Sequence, residues 1–200
     1  MKEQELIKMS NILYIVDHNK KTNYSYNLDC DTIIYHFSIN SSSDVTVNLN
    51  KKGITLYYYY NNINYDDNYL NIKINHLKDN THSELFNHGV NVYNNKLSYD
   101  VSGIVLKISD KCICNQENQI INMEDGKSTI FPKLFIDNYD VDSNHSAYIG
   151  KFRDDDLFYI MSRGISKEIA YKLLLKAFLL NFDSIDLSKI IKFSEEIDKL

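Results

Sequence analysis

Glycine is scarce in this 200-residue chain, with six residues in all. A phosphate cradle needs several glycines at close spacing so that backbone N–H groups can approach the oxyanions. No such loop is visible, and neither is a nucleophile elbow or a Ser-His-Asp order. Direct ATP binding and catalysis by the chain itself are therefore not expected. Cysteine is scarcer still: Cys30, Cys112 and Cys114 form an odd set, which excludes a disulfide framework and points to a reducing, cytoplasmic compartment. Basic clusters are missing as well. A net charge of -5 and a pI near 5.6 leave no face able to neutralise a nucleic-acid backbone. The apolar run near the N-terminus, Ile12 to Val16, is too short for a signal segment or a membrane span, so no membrane association is expected.

What the chain does have is enough apolar material, 44% of residues, to bury a real core in one domain, or in one domain with an appendage. Short apolar runs with period-two alternation predict strands at 33–39, 45–49, 54–60, 70–74, 90–92, 104–108, 120–121 and 134–136. Asparagine is abundant at the breaks, and it suits tight corners because it tolerates the left-handed region. This pattern fits a sandwich or a β-solenoid, and periodicity does not choose between them. The run Tyr57 to Tyr60 reads as half core and half strand surface rather than an aromatic binding box. His82 and His88 read as solvated loop histidines, and Glu3 to Met9 as a short helix.

Past Gly150 the period changes. Residues 1–150 form the predicted β core and residues 151–200 a helical segment. Leu157, Ile160 and Met161 fall at helical spacing behind Asp154 to Asp156, whose charges suit a helix N-terminus, and Gly164 ends that helix. Ser166 is an N-cap for a second helix carrying a Glu168–Lys172 pair, with Lys176 extending the polar stripe. The remainder of that helix is apolar over most of its circumference, so it is expected to be covered on more than one side. A partner chain could supply the cover, or the third amphipathic segment (Leu187, Ile190, Ile191, Ser194, Ile197) could do so within the subunit.

Several stretches carry a resemblance: SGIVLKI at 102–108, NQEN at 115–118, FPKLFI at 131–136, DVDSNHSAYIG at 140–150 and LFYIMSRGISKEIAYKLLLKAFL at 157–179. Together they resemble the core domain of the SUF-system scaffolds, the SufB and SufD proteins of bacterial iron-sulfur cluster assembly, with SufD the nearer branch. Asp140, Val141, His145, Ala147 and Gly150 match one motif, and Leu157, Phe158, Tyr159, Ser162, Arg163, Gly164, Ile165 and Ala170 match the helical one. The resemblance implies a right-handed parallel β-helix with a small C-terminal helical tail. It also implies pairing with a SufB-like chain or with itself, docking of a SufC-like ABC ATPase, and a transient iron-sulfur cluster shared with the partner. ATPase motion would be passed mechanically through the tail to the core interface. The implied docking residues are Phe158, Arg163, Leu173, Leu174, Ala177 and Phe178. The chain also departs from the family: Ser143 and Ser146 stand where many relatives have Cys and Gly, the N-terminal region is shortened, and Asn118 lies near the position of the SufB cysteine.

His145 is the candidate cluster or metal ligand, because an imidazole nitrogen can replace thiolate at an exposed iron. Its bland alternative is a structural histidine at the end of a solenoid coil. Cys112 and Cys114, two apart on a strand, share one face and are either weak metal candidates or small core residues. A degenerate adaptor that keeps the ATPase contact without ligating a cluster is the alternative function. An exported β-solenoid enzyme or glycan binder using Asp137, Asp140 and Asp142 is the more distant one.

Overall fold

Val45, Val47 and Leu49 alternate with Asp44, Thr46 and Asn48, and this period-two pattern recurs through eleven strands of the computed structural model, which describes residues 11–182 and 185–200. Strands β1 (Asn11–His18), β3 (Thr32–Ile39), β5 (Thr55–Asn64), β7 (His82–Asn91), β9 (Cys112–Asn122) and β11 (Val141–Gly150) form a six-stranded sheet in that order. Strands β2 (Lys21–Leu28), β4 (Ser42–Leu49), β6 (Asn68–His76), β8 (Lys96–Val105) and β10 (Lys127–Ile136) form a five-stranded one. All pairings are parallel. Each turn of the chain thus lays one strand on each sheet, and the molecule is a parallel β-solenoid rather than a sandwich. The helix expected at residues 3–9 lies outside the described residues.

The interior is filled by one face of each strand. Ile34, Leu56, Tyr58 and Tyr60 from the first sheet meet Val47, Leu49, Leu70, Ile72, Ile74 and Tyr99 from the second, all fully buried. Burying each such side chain stabilises by about 1.5–3 kcal/mol, which makes this column the main source of stability. Tyr58 and Tyr60 point inward as the alternation requires, while Tyr57 and Tyr59 stay half-buried on the outer face. Corners use the left-handed region as expected: Asn19, Asn40 and Asn80 have φ of 50°, 48° and 54°.

Asparagine also stacks along the solenoid. Asn48 Nδ2 donates to Asn27 Oδ1 over 2.9 Å, and Asn75 Nδ2 donates to Asn48 Oδ1 over 2.7 Å. An amide is both donor and acceptor, so in-register copies satisfy one another. The steps are uneven, 21 and 27 residues in this ladder and 31 between Glu84 and Asn115. Aromatic rings do the same on the outer face of the six-stranded sheet: Tyr14, Tyr35, Tyr59 and Phe86 stack with centroids 5.3, 5.2 and 5.1 Å apart.

Several strands extend beyond their apolar runs. Residues 90–92 mark only the end of β7, so His82 and His88 lie in a strand and not in a loop. Residues 106–108 fall beyond β8, which begins at Lys96. β1 and β2 lie within the expected core but precede its first expected strand at 33–39; in β2 the Tyr24–Tyr26 alternation puts aromatic residues where aliphatic ones would have marked a strand.

Three helices follow the solenoid: α1 (Asp154–Met161), α2 (Lys167–Leu179) and α3 (Ile191–Lys199), with a 3-10 turn at Leu187–Lys189. Asp154, Asp155 and Asp156 fill the first turn of α1, and Gly164, at φ 83°, follows it. Ser166 caps α2 by accepting from Ile169 N–H, and Glu168 pairs with Lys172 at 3.6 Å. The tail folds back over the outer face of the six-stranded sheet. Leu175, Leu179, Ile190, Phe193 and Ile197 pack on Ile33, Tyr35, Phe37, Ile39, Ile63 and Val90. That layer explains why all of β3 is buried: the solenoid interior covers one face and the tail the other. The inward residues of the last segment are Ile190, Phe193 and Ile197, while Leu187 and Ile191 stay 63% and 54% exposed; the expected stripe was rotated because the first part of the segment is a 3-10 turn.

Candidate functional site

The solenoid stops abruptly after β10 and β11. β10 pairs only with β8, and β11 only with β9, which leaves two adjacent ten-residue strand edges without a partner among the described residues. Columns that are sealed one turn earlier open here. On β9, Cys112, Cys114, Gln116, Asn118 and Ile120 are all buried. Their register partners on β11 are Val141, Ser143, His145, Ala147 and Ile149, and the last three of these are exposed. On β10, Ile130, Pro132, Leu134 and Ile136 are half-buried, opposite the buried Tyr99 and Val101 of β8. An open cross-section of this kind shows water both unpaired backbone groups and interior apolar surface, and natural proteins cover or blunt such edges.

His145 sits in the middle of this open end, on the interior column of β11, and is exposed. Its register neighbour Gln116 is buried, donates Nε2 to Lys133 main-chain O at 3.1 Å, and leaves Oε1 without a partner. Asn87 Nδ2 donates to Asn118 Oδ1 at 2.8 Å, and Asn118 Nδ2 to Ser146 main-chain O at 3.1 Å, which ties β11 down beside His145. An imidazole held this way can offer one nitrogen to an incoming iron. No group of three or more His, Cys, Asp or Glu that could hold a metal ion occurs among the described residues, so a cluster at His145 would need ligands beyond them.

Cys112 and Cys114 do share the inward face of β9, and both are buried. Cys112 Sγ lies 3.3 Å from Thr81 Oγ1. Burial pushes the Cys114 thiol up to about 11, which disfavours the thiolate that metals bind. They pack with Val105, Leu134, Ile136 and Val141 as core residues. Cys30 is half-buried at a corner, where its sulfur accepts from Asn11 Nδ2 at 3.0 Å.

A second surface lies on the tail. Ile169, Leu173 and Ala177 follow one another at i, i+4 and i+8 along α2, and all are exposed, as are Phe158 and Met161 of α1; Phe158 is 74% exposed. Arg163 stacks its guanidinium 4.5 Å above the Tyr159 ring at the edge of this patch. Leu174 is half-buried. Phe178 turns inward instead, onto His88 and Phe152. The apolar circumference of α2 is thus divided: Ala170, Leu175 and Leu179 are covered by the chain's own sheet and α3, and the opposite stripe is left open.

Polar features that the apolar patterns did not show lie inside the solenoid. Asp17 and His36 are both fully buried, with Asp17 Oδ2 2.9 Å from His36 Nε2, and His36 Nδ1 is 2.8 Å from the Tyr58 hydroxyl. Asp17 also accepts from Tyr24 (2.7 Å) and Thr22 (2.9 Å) and pairs with Lys20 (2.8 Å). Burial works against the carboxylate, but these partners outweigh it and hold Asp17 well below the usual range. Burial lowers His36 despite Asp17, so the ring is neutral, its Nε2–H donating to Asp17 and its Nδ1 accepting from Tyr58. The cue was present in the sequence: Ile34, His36 and Ser38 alternate, which puts a histidine at an inward position.

The strand order and the uncovered edges of β10 and β11 define an open-ended parallel β-solenoid with a C-terminal helical tail. The chain belongs to the SUF system FeS cluster assembly, SufBD core domain family, which matches residues 36–178. Similar proteins include the iron-sulfur cluster assembly protein SufD of Bacillus subtilis, 36% identical over 72 residues (36% of this chain, 16% of that protein). SufB of the same organism is 30% identical over 135 residues, covering 62% of this chain and 28% of that protein. A SufBD family protein of Pyrococcus horikoshii is 50% identical over 36 residues (18% of this chain, 8% of that protein). Both branches match, so the similarity does not single out SufD. The matches span well under a third of these relatives' own lengths. Among the described residues no helix is long and apolar enough to cross a membrane.

Proposed function

We propose that this chain is a non-enzymatic scaffold subunit of an iron-sulfur cluster assembly complex, of the SufD kind, joined through its open end to a SufB-like chain or to a second copy of itself. The observation that carries this reading is the pair of unpaired edges on β10 and β11, with His145 between them and interior side chains uncovered. The exposed stripe of Ile169, Leu173 and Ala177, with Phe158 beside it, supports docking of an ABC-type ATPase on the tail. ATP hydrolysis then belongs to the partner, and its closure pulls on α2 and opens or shuts the seam. The cluster is cargo, held transiently by His145 and ligands from across the seam. Asn118, near the position of the SufB cysteine, and the absence of an acidic residue directly after His145 favour the SufD assignment. Ser143 and the lack of a second ligand beside His145 favour the alternative, an adaptor that docks the ATPase but ligates nothing.

Two variants of the full chain test these halves separately. Leu173→Glu places a charge in the open stripe and is expected to weaken ATPase binding more than tenfold in a titration; unchanged affinity would remove the docking surface. His145→Ala, in anaerobic reconstitution with both partners, is expected to lower iron and sulfide content while the complex still assembles. Equal content in wild type and variant would select the adaptor reading.

A further inference from the structure

His88 faces outward from β7, under the C-terminal end of α2. Its Nδ1 lies 3.1 Å from the main-chain oxygen of Phe178, 90 residues along the chain, and its Nε2 lies 3.1 Å from Glu117 Oε1 on β9. The ring stacks on Phe178, with centroids 4.7 Å apart and planes 20° from parallel. Both polar partners are acceptors, one a peptide carbonyl and one a carboxylate. A neutral imidazole has a single N–H and satisfies one of them; an imidazolium has two and satisfies both. Both acceptors sit where negative charge gathers. The Phe178 carbonyl belongs to the last turn of α2, where intrahelical donors run out and the helix dipole is negative. Glu117 supplies a full negative charge and is steadied by Gln119 Nε2 at 2.8 Å.

We propose that His88 is a proton-operated clasp: the charged ring ties the C-terminal end of α2 to the solenoid, and loss of its proton loosens the tail. This contact joins the solenoid to α2, while Tyr65–Glu196 at 2.8 Å joins it to α3. The groups lining the space beside the ring are Tyr59 and Asn61 from β5, Phe86 on the ring's own strand, and Asn181 and Phe182 beyond α2, none of them an Asp, Glu, Lys or Arg. The nearby ammonium of Lys176 on α2 is taken by Asp198 at 2.5 Å and that of Lys172 by Glu168. Glu117 is therefore the one charged partner. Its hydrogen bond to His88 holds its carboxyl below the ordinary value of 4.5, so the clasp survives mild acid and fails only when Glu117 is itself protonated. The position matters because Glu117 pairs in register with Ser146, next to His145. His88 is thus a positioning residue, one strand from the seam and in contact with the tail helix. Its use in coupling the ATPase to the seam rests on the function proposed above, whereas the clasp itself is a property of the chain alone and can fail or hold independently of any partner.

The test uses the full chain without partners. Ring 15N NMR across a pH titration should show both His88 nitrogens protonated on the acid side of its transition, and limited proteolysis should report how firmly the tail is held. His88→Gln keeps a donor but cannot titrate. The ratio of tail cleavage in the variant to that in wild type is expected to be roughly tenfold at acid pH, as one charge-assisted hydrogen bond would give, and to fall to about one on the alkaline side. A ratio that does not change with pH would overturn the clasp. So would a ring that keeps one bare nitrogen throughout, a result the wild-type protein gives even if the variant does not fold.

Discussion

Asp17 shows how one buried carboxylate can organise the first turn of the solenoid. It satisfies His36, Lys20, Tyr24 and Thr22 at once, and no water is needed to complete the set. Asp17→Ala would leave the His36 N–H and the Tyr24 hydroxyl without acceptors in the interior. The expected cost is about 3–5 kcal/mol, read as a lower urea midpoint with an unchanged slope. The pH sign follows from the directions of the shifts. Asp17 is depressed, so its contribution is complete above its unfolded value near 3.8 and is lost as pH falls below it. His36 and His76 are also depressed by burial, His76 to about 4 from 6.5, so their contributions are present above 6.5 and decline as the unfolded chain takes up protons that the folded one refuses. Stability is therefore expected to fall from pH 7 to pH 4.5, and Asp17→Ala to be less stable than wild type across that whole range. Close packing is equally strict at Gly89, where a Cβ would come within 2.2 Å of the Tyr99 hydroxyl.

At the level of elements, the sequence made some features plain and hid others for identifiable reasons. Aliphatic runs such as Val45–Val47–Leu49 marked strands because branched side chains with period two have few other uses. β2 and the first part of β7 were hidden because tyrosine, asparagine and histidine take the places of aliphatic residues there. The choice of solenoid over sandwich was not legible from periodicity, since both give alternating strands. It came from resemblance, and the uneven steps between stacked residues, 21 to 31, blur any internal repeat. The helical tail was more legible. The cap at Ser166, the acidic start of α1 and the glycine stop were local features, and local features survive in sequence. Where the tail lies was not local, although Ile33, Tyr35, Phe37 and Ile39 on the outer face of β3, opposite the inward Ile34, were the signal of a strand covered on both faces. Of the site, the position of His145 on a strand was readable, but its exposure was not, because exposure depends on β11 being the last strand of its sheet.

For the whole molecule, the defining feature is the open end of the solenoid. A closed, self-sufficient protein would blunt two long parallel edges with charges, prolines or a covering loop. Here β10 and β11 carry Phe131, Phe135, Tyr148 and Ile149 at 41–56% exposure, alongside Pro132, Lys127 and Lys133 on β10. The tail covers the side of the solenoid and leaves this end bare, so the open end and the exposed stripe of α2 are two separate surfaces, which the proposed function assigns to a neighbouring scaffold and to an ATPase. The measurement that bears most directly on this is backbone amide exchange of β10 and β11 in the chain alone and after mixing with a SufB-type scaffold, or at concentrations that favour self-association. The account predicts that amides along both edges, and those flanking His145, become strongly protected on assembly while the side of the five-stranded sheet does not change. Assembly that leaves the β10 and β11 edges exchanging as fast as in the isolated chain would contradict it.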